Sequence, residues 1–215
     1  MKAPTERQLR RRESILAAAR KLIGERGLDG VTMRDLARES GVTAKTLYHQ
    51  FESKEKLLQI AVEERFRHVY HQIEEAPIER GVDRLFFTVD TIARTTAENL
   101  EYAKALAPMM NRGVETSLAA IRKAAYRRAV LAIAAEGEIV ENINLDLLAD
   151  IVYRQVTGMS HLRWYERETP HNPTFSLVRL EVALILRSVT RGYTHDRVTQ
   201  VMREVQESLQ GSHFA

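Results

Sequence analysis

Residues 31–58 read VTMRDLARESGVTAKTLYHQFESKEKLL, and this stretch decides the fold. Thr32 is a good helix N-cap, and Asp35 three positions later favours the positive helix start. Leu36 and Ala37 give the first short helix a small apolar face. Gly41 can take the backbone through positive φ, and Val42 closes the turn. Thr43 caps a second helix that buries Leu47 and ends near Phe51. Ser53 caps a third, which begins Lys54-Glu55-Lys56 and continues into Leu57-Leu58. Two short helices around a tight turn form a helix-turn-helix, whose second helix enters the major groove of DNA.

The register goes beyond the bare motif. Thr46-Leu47-Tyr48-His49-Gln50-Phe51, then Ser53-Lys54-Glu55 and Leu57-Leu58, resembles the tetracycline-repressor (TetR) family of bacterial transcription regulators. So does the upstream run Ile15-Leu16-Ala17-Ala18-Ala19 through Leu22, with Gly27 and then Val31-Thr32-Met33-Arg34-Asp35-Leu36-Ala37. The resemblance covers roughly the first quarter of the chain. Gln50 departs from it, standing where many members carry Tyr or His.

Working outward, residues 1–54 hold 12 Lys and Arg against 7 Asp and Glu, whereas residues 55–215 hold 20 against 22. The excess positive charge therefore falls in the helix-turn-helix part, where phosphates would be met. A solvated basic tail would give the same asymmetry. There is no cysteine, which excludes a disulfide framework and a cysteine-based zinc site and fits a cytoplasmic protein. No apolar run approaches the length of a membrane span or a secretory signal, so neither is expected.

Ahead of the motif, Ile15, Ala18, Ala19, Leu22 and Ile23 recur at helical spacing on a first helix over about 6–25. Arg10-Arg11-Arg12 stands at its entrance, either as an arm toward a minor groove or as a solvated helix face. After it, a helix from Ser53 to about Glu75 is long enough, near 30 Å, to leave one domain and enter another. Pro77 to Gly81 breaks the chain. Further helices are predicted over about 82–99, 100–110, 114–136, 145–162, 174–189 and 194–209. Gly192 is read as the end of the penultimate one, and Thr194 as the cap of the last. The expectation is an all-α protein. A helix-turn-helix DNA-binding domain (1–52) is followed by a connecting helix (53–75) and a larger helical ligand-binding and dimerisation domain (76–215).

Each candidate site residue has a stated chemistry. Thr43, Ala44, Lys45 and Thr46 lie on the first turn of the second helix, the part that meets base edges. Lys45 suits guanine, and the Ala44 and Thr46 methyls suit thymine. Arg34 can donate two hydrogen bonds to a guanine edge or pair with Asp35. Given the family register, Thr32, Tyr48 and Lys54 read as phosphate clamps, and His49 either binds phosphate or faces solvent. The helices around 145–162 and 177–189 are unusually apolar for surface helices and need covering on more than one face, of which burial within one subunit explains part. The resemblance implies a four-helix dimer interface there, with Ile151, Gln155, Met159, Leu180, Leu184 and Val189 as candidates. It also implies a ligand cavity. Phe66, Phe86, Met109, Tyr126 and Trp164 are the candidate lining for a largely apolar small molecule, with Asn111, Arg122, Gln155 and His161 as polar groups that could orient it.

His68 and His71 share a helix face, but no third ligand converges on them beyond Glu64 or Glu75, so no metal is expected. No cofactor motif, Gly-rich phosphate loop, GxSxG or HExxH occurs, and no enzyme is expected. The reading is a dimeric repressor that binds a double-stranded DNA operator and is released by a small molecule. The alternative keeps the DNA-binding fold but places the second domain under a protein partner.

Overall fold

The computed structural model of the chain describes residues 5–111, 117–163 and 174–211. Its regular elements are helices: α1 (Glu6–Arg26), α2 (Met33–Ser40), α3 (Ala44–Phe51), α4 (Lys54–Glu75), α5 (Gly81–Glu98), α6 (Leu100–Asn111), α7 (Ser117–Ala135), α8 (Leu145–Arg163), α9 (Thr174–Arg187) and α10 (Gly192–Gly211). Among the described residues the one extended pairing is an isolated antiparallel bridge between Ile139 and Thr190. No helix among them is long and apolar enough to cross a membrane.

The chain groups into two compact units, residues 1–68 with 96–114 and residues 69–95 with 115–215. In the first unit α1 buries the predicted stripe Ile15, Ala18, Ala19, Leu22 and Ile23, together with Leu16. The helix opens in a capping box, with Thr5 and Gln8 bonding reciprocally. Chain order alone placed everything past residue 76 in one body. Contacts instead put α6 in the first unit, against α1. Gly24 permits this approach: a Cβ built there would sit 3.6 Å from Cβ of Tyr102 on α6.

The second unit has its own core. Val82, Leu85, Phe86 and Val89 of α5 meet Tyr126, Val130 and Ile133 of α7, Val152 and Val156 of α8, and buried valines of α9 and α10. Two polar devices fix the edges of this core. Arg84, on α5, reaches back to the end of α4. Its Nη1 donates to the carbonyls of Ile73 (3.0 Å) and Glu74 (3.2 Å), and its Nη2 to those of Ala76 (3.3 Å) and Ile78. The last carbonyls of a helix have no partner within it, and a cation there also meets the negative helix end.

The second device is Glu138, which accepts from the Thr194 amide (2.9 Å), the Thr194 hydroxyl and Arg80. Burial alone would raise the Glu138 carboxyl. The hydrogen bonds from Thr194 and Arg80 outweigh burial and hold it below the ordinary carboxylate range. This contact corrects two sequence expectations. α9 ends at Arg187, before Gly192, and Thr194 lies inside the first turn of α10 rather than capping it. The cap comes from Glu138, 56 residues away in sequence, so no local pattern announces it.

At the start of α5 the backbone rides directly on α7. A Cβ on Gly81 would come within 2.6 Å of the Ile133 amide nitrogen and 3.0 Å of the Ala129 carbonyl oxygen. Neither backbone group can turn aside as a side-chain end could. Gly81→Ala is therefore expected to destabilise the protein by about 1–3 kcal/mol, the usual range for overpacking. Urea unfolding followed by circular dichroism measures this, and an unchanged midpoint would refute the close approach.

Candidate nucleic-acid interface

Thr32 and Thr43 build the two short helices of the motif. Each sits in extended backbone, and each accepts a hydrogen bond from the backbone three residues on, Asp35 N and Thr46 N, both at 3.2 Å. The Thr43 and Thr46 hydroxyls also bond to each other at 2.9 Å. Gly41 ends α2 in the left-handed conformation, φ 67° and ψ 28°, where a side chain would be strained. Val42 N then bonds back to Ala37 O at 3.1 Å, closing the turn.

With both ends tied, the faces sort by chemistry. Leu36 and Leu47 are fully buried, and Phe51 nearly so. Lys45, Tyr48, His49 and Gln50 of α3 are exposed, as is Arg34 of α2, while Ala44, Thr46 and Lys54 are half-buried. The structure thus brings the predicted set Thr32, Arg34, Thr43, Ala44, Lys45, Thr46, Tyr48, His49 and Lys54 onto or beside two short helices and the start of α4. Ser53 caps that start through its Oγ, which accepts from Lys56 N at 3.1 Å.

The ion pairs separate cations that hold the fold from those that face outward. The Asp35 carboxylate takes the Thr32 hydroxyl (2.6 Å), Arg38 (2.8 Å) and Arg26 (3.1 Å), so Arg34 is not its partner. The Thr32 hydrogen bond, with Arg26 and Arg38, holds the Asp35 carboxyl below its ordinary range. Arg12 bonds to Glu64 at 2.8 Å and lies over the Phe51 ring at 5.1 Å, tying α1 to α4 and α3. Arg10 pairs with Glu6 at 2.6 Å. All three of Arg10, Arg11 and Arg12 lie within α1, on a helix face and not on an extended arm.

Sequence reasoning did not anticipate Glu52. It ends α3 at φ 68°, a conformation in which a non-glycine residue is uncommon. Its amide closes the helix on Tyr48 O at 3.0 Å. With no glycine at this position, no residue type in the sequence signals the conformation.

The N-terminal part matches the family model described as bacterial regulatory proteins, tetR family, over residues 15–60. Across 74% of its length the chain is 27% identical to the transcriptional repressor KstR2 of Mycolicibacterium smegmatis, covering 82% of that protein. Residues 15–60 thus carry the tetR-family sequence pattern, and most of the chain is similar to a transcriptional repressor. The family fold extends past the motif. A TetR transcription regulator from Haloarcula marismortui superposes with a TM-score of 0.72 at 14% identity, covering 85% of this chain and all of that one. The Bacillus subtilis regulator FadR, solved in complex with stearoyl-CoA, gives 0.69 at 16% identity, covering 80% of this chain and 96% of that one.

The residues put forward for ligand and partner contacts divide. Phe86 and Tyr126 are buried in the same core cluster. Phe66 is half-buried and belongs to the first unit, so the structure does not bring it into that cluster. Trp164 and the side chains of Met109 and Met159 lie outside the described residues. Ile151 and Leu184 are exposed at 43% and 51% on the packed pair α8 and α9. Gln155, Leu180 and Val189 are half-buried. Leu147, exposed at 58%, extends this apolar face and was missed, although its place four residues before Ile151 is the helical signal that finds it. His68 and His71 are both exposed, and His71 lies 3.8 Å from Glu75.

Because Thr43 caps α3 with its hydroxyl, Thr43→Ala is expected to lower stability by about 1 kcal/mol, with Thr43→Ser close to the parent. Chemical denaturation of the three proteins measures this apart from any effect on DNA. Equal stability of Ala and Ser would show that the cap contributes nothing.

Proposed function

We propose that the protein is a homodimeric repressor that binds a palindromic DNA operator and leaves it when a small molecule occupies the second unit. The observation that carries this reading is the sorting of α3. Leu47 and Phe51 are buried on one side, while Lys45, Tyr48 and His49 are exposed on others. In the cytoplasm, two such helices from a dimer would enter successive major grooves about 34 Å apart.

In this proposal Arg34 and Lys45 read base edges, with the Ala44 and Thr46 methyls beside them. Thr32, Tyr48, His49 and Lys54 contact the backbone, while Thr43 lies with Lys45 on the turn that meets base edges. The dimer forms through Ile151, Leu184 and Leu147, with Gln155, Met159, Leu180 and Val189 around them. Three large apolar side chains in water on one helix pair support this, since a second copy would remove them from solvent. The stearoyl-CoA held by FadR supports an effector site in the second unit, with Phe86 and Tyr126 as lining and Trp164 as a further candidate. An effector can release DNA only through its differential affinity for two states of the protein. We assign α4 to transmit that difference, because it is one uninterrupted helix from Lys54 to Glu75.

Selection of bound duplexes from a random pool tests the reading, and a palindrome is the expected product. Arg34→Ala and Lys45→Ala should each alter the selected sequence and cost about 1–3 kcal/mol on the parent operator. Tyr48→Phe and Lys54→Ala should weaken all sequences alike, and Lys54→Ala should flatten the salt dependence by about one unit of slope. An unaltered selected sequence for Lys45→Ala would remove its base-reading role.

The dimer is tested separately. Ile151→Glu combined with Leu184→Glu is expected to give a monomer by light scattering and to weaken operator binding about a hundredfold. A double variant that remains dimeric would place the interface elsewhere.

A further inference from the structure

Of Arg10, Arg11 and Arg12 at the start of α1, Arg12 is the one that reaches other helices among the described residues. It stands three and four residues before Ile15 and Leu16, on the buried side of α1. Its Nη2 donates to Oε1 of Glu64, in the middle of α4, at 2.8 Å. Its guanidinium carbon lies 5.1 Å from the centre of the ring of Phe51, the last residue of α3. One side chain of α1 therefore holds α3 and α4 at once. A guanidinium suits this task because it hydrogen-bonds in its plane and stacks through its faces, which an ammonium does not.

The junction that Arg12 spans is short and strained. Glu52 and Ser53 alone join α3 to α4. Glu52 has φ 68° and ψ −51°, and a non-glycine residue stays in such a conformation only where its surroundings over-determine it. Beyond this junction α3 packs chiefly along α2. Its inward side is set by Leu47 and Phe51, both buried, with Arg12 over the Phe51 ring. The Arg12–Glu64 pair is half-buried, and ion pairs near the surface add little to stability. What this pair fixes is direction, because it pins the ring that ends α3 to the helix that follows. Lys45 and Tyr48 ride on the same eight-residue helix, so an error at Phe51 is carried to them.

We propose that Arg12 is a positioning residue for DNA recognition: it sets α3 against α4 through the Phe51 ring and Glu64, and touches no phosphate itself. This deepens the DNA-binding reading above and rests on it. Charge and positioning predict opposite signs at Glu64. Removing an acid makes this unit more positive, which by charge alone tightens binding to DNA. Removing the anchor of Arg12 frees the end of α3, which weakens it.

The test uses the full chain and the operator selected from the random pool. Glu64→Ala and Arg12→Gln should each weaken operator binding about tenfold, and the double variant no more than either alone, because both break one contact. The selected sequence and the salt slope should remain those of the parent, whereas loss of a phosphate contact at Arg12 would flatten the slope by about 0.9. Hydrogen–deuterium exchange without DNA is the second arm. Amides of α3 should exchange about tenfold faster in both variants, with little change in melting temperature. If Arg12→Gln does not fold, Glu64→Ala decides alone. Tighter or parent-like operator binding by Glu64→Ala, additive losses in the double variant, a flatter slope for Arg12→Gln, or parent-like exchange in α3 would each overturn the proposal. A protein that selects no operator refutes the regulator reading, and exchange in α3 then decides the role of Arg12; operator selection with parent-like affinity and exchange in Glu64→Ala does the reverse.

Discussion

Helices of eight residues do not persist alone in water, where about 12–15 are needed even for favourable sequences. α2 and α3 are each eight residues long. They exist because Leu36, Leu47 and Phe51 have somewhere to go, and because threonine caps remove the cost of their open first turns. That requirement also fixes their rotation. Once Leu47 and Phe51 point inward, Lys45, Tyr48 and His49 have no freedom to do so. The outward chemistry of α3 is thus a by-product of where its apolar residues must lie.

In the same unit, several of the cations are committed to partners within the protein. Arg12 is committed to Glu64 and the Phe51 ring, Arg26 and Arg38 to Asp35, and Lys21 to Glu39 at 2.6 Å. These cations stitch helices together. The pairs are mostly exposed, and pairs of that kind contribute little to stability, so their value lies in orienting the elements that carry Arg34 and Lys45.

The DNA-binding half was legible because its signals are local. A threonine cap acts three residues away, a glycine bends its own backbone, and an apolar stripe repeats within one helix. Reading failed where the deciding contact was distant. Thr194 looks like a cap until Glu138 supplies the cap instead. α6 looks like part of the second body until Tyr102 settles beside Gly24. For Phe66, Phe86 and Tyr126, residue type was informative but grouping was not. All three are aromatic and suited to a core, yet nothing in the order of the chain says that Phe66 belongs to another unit. Arg122 was visible as a polar residue among apolar ones, but not the tyrosines that surround it, which come from α4, α7 and α8.

The bonds from Arg84 to the last turn of α4 and the segment after it carry a consequence of their own. One rigid guanidinium holds four carbonyls, so the helix end cannot turn by small increments while keeping some bonds and surrendering others. Displacement breaks the group together, and the carbonyls must then find water or a new donor. A joint held by one group in this way would yield more abruptly than one held by separate donors. Whatever acts on the end of α4 would therefore meet a threshold, and the response would resemble a latch more than a spring.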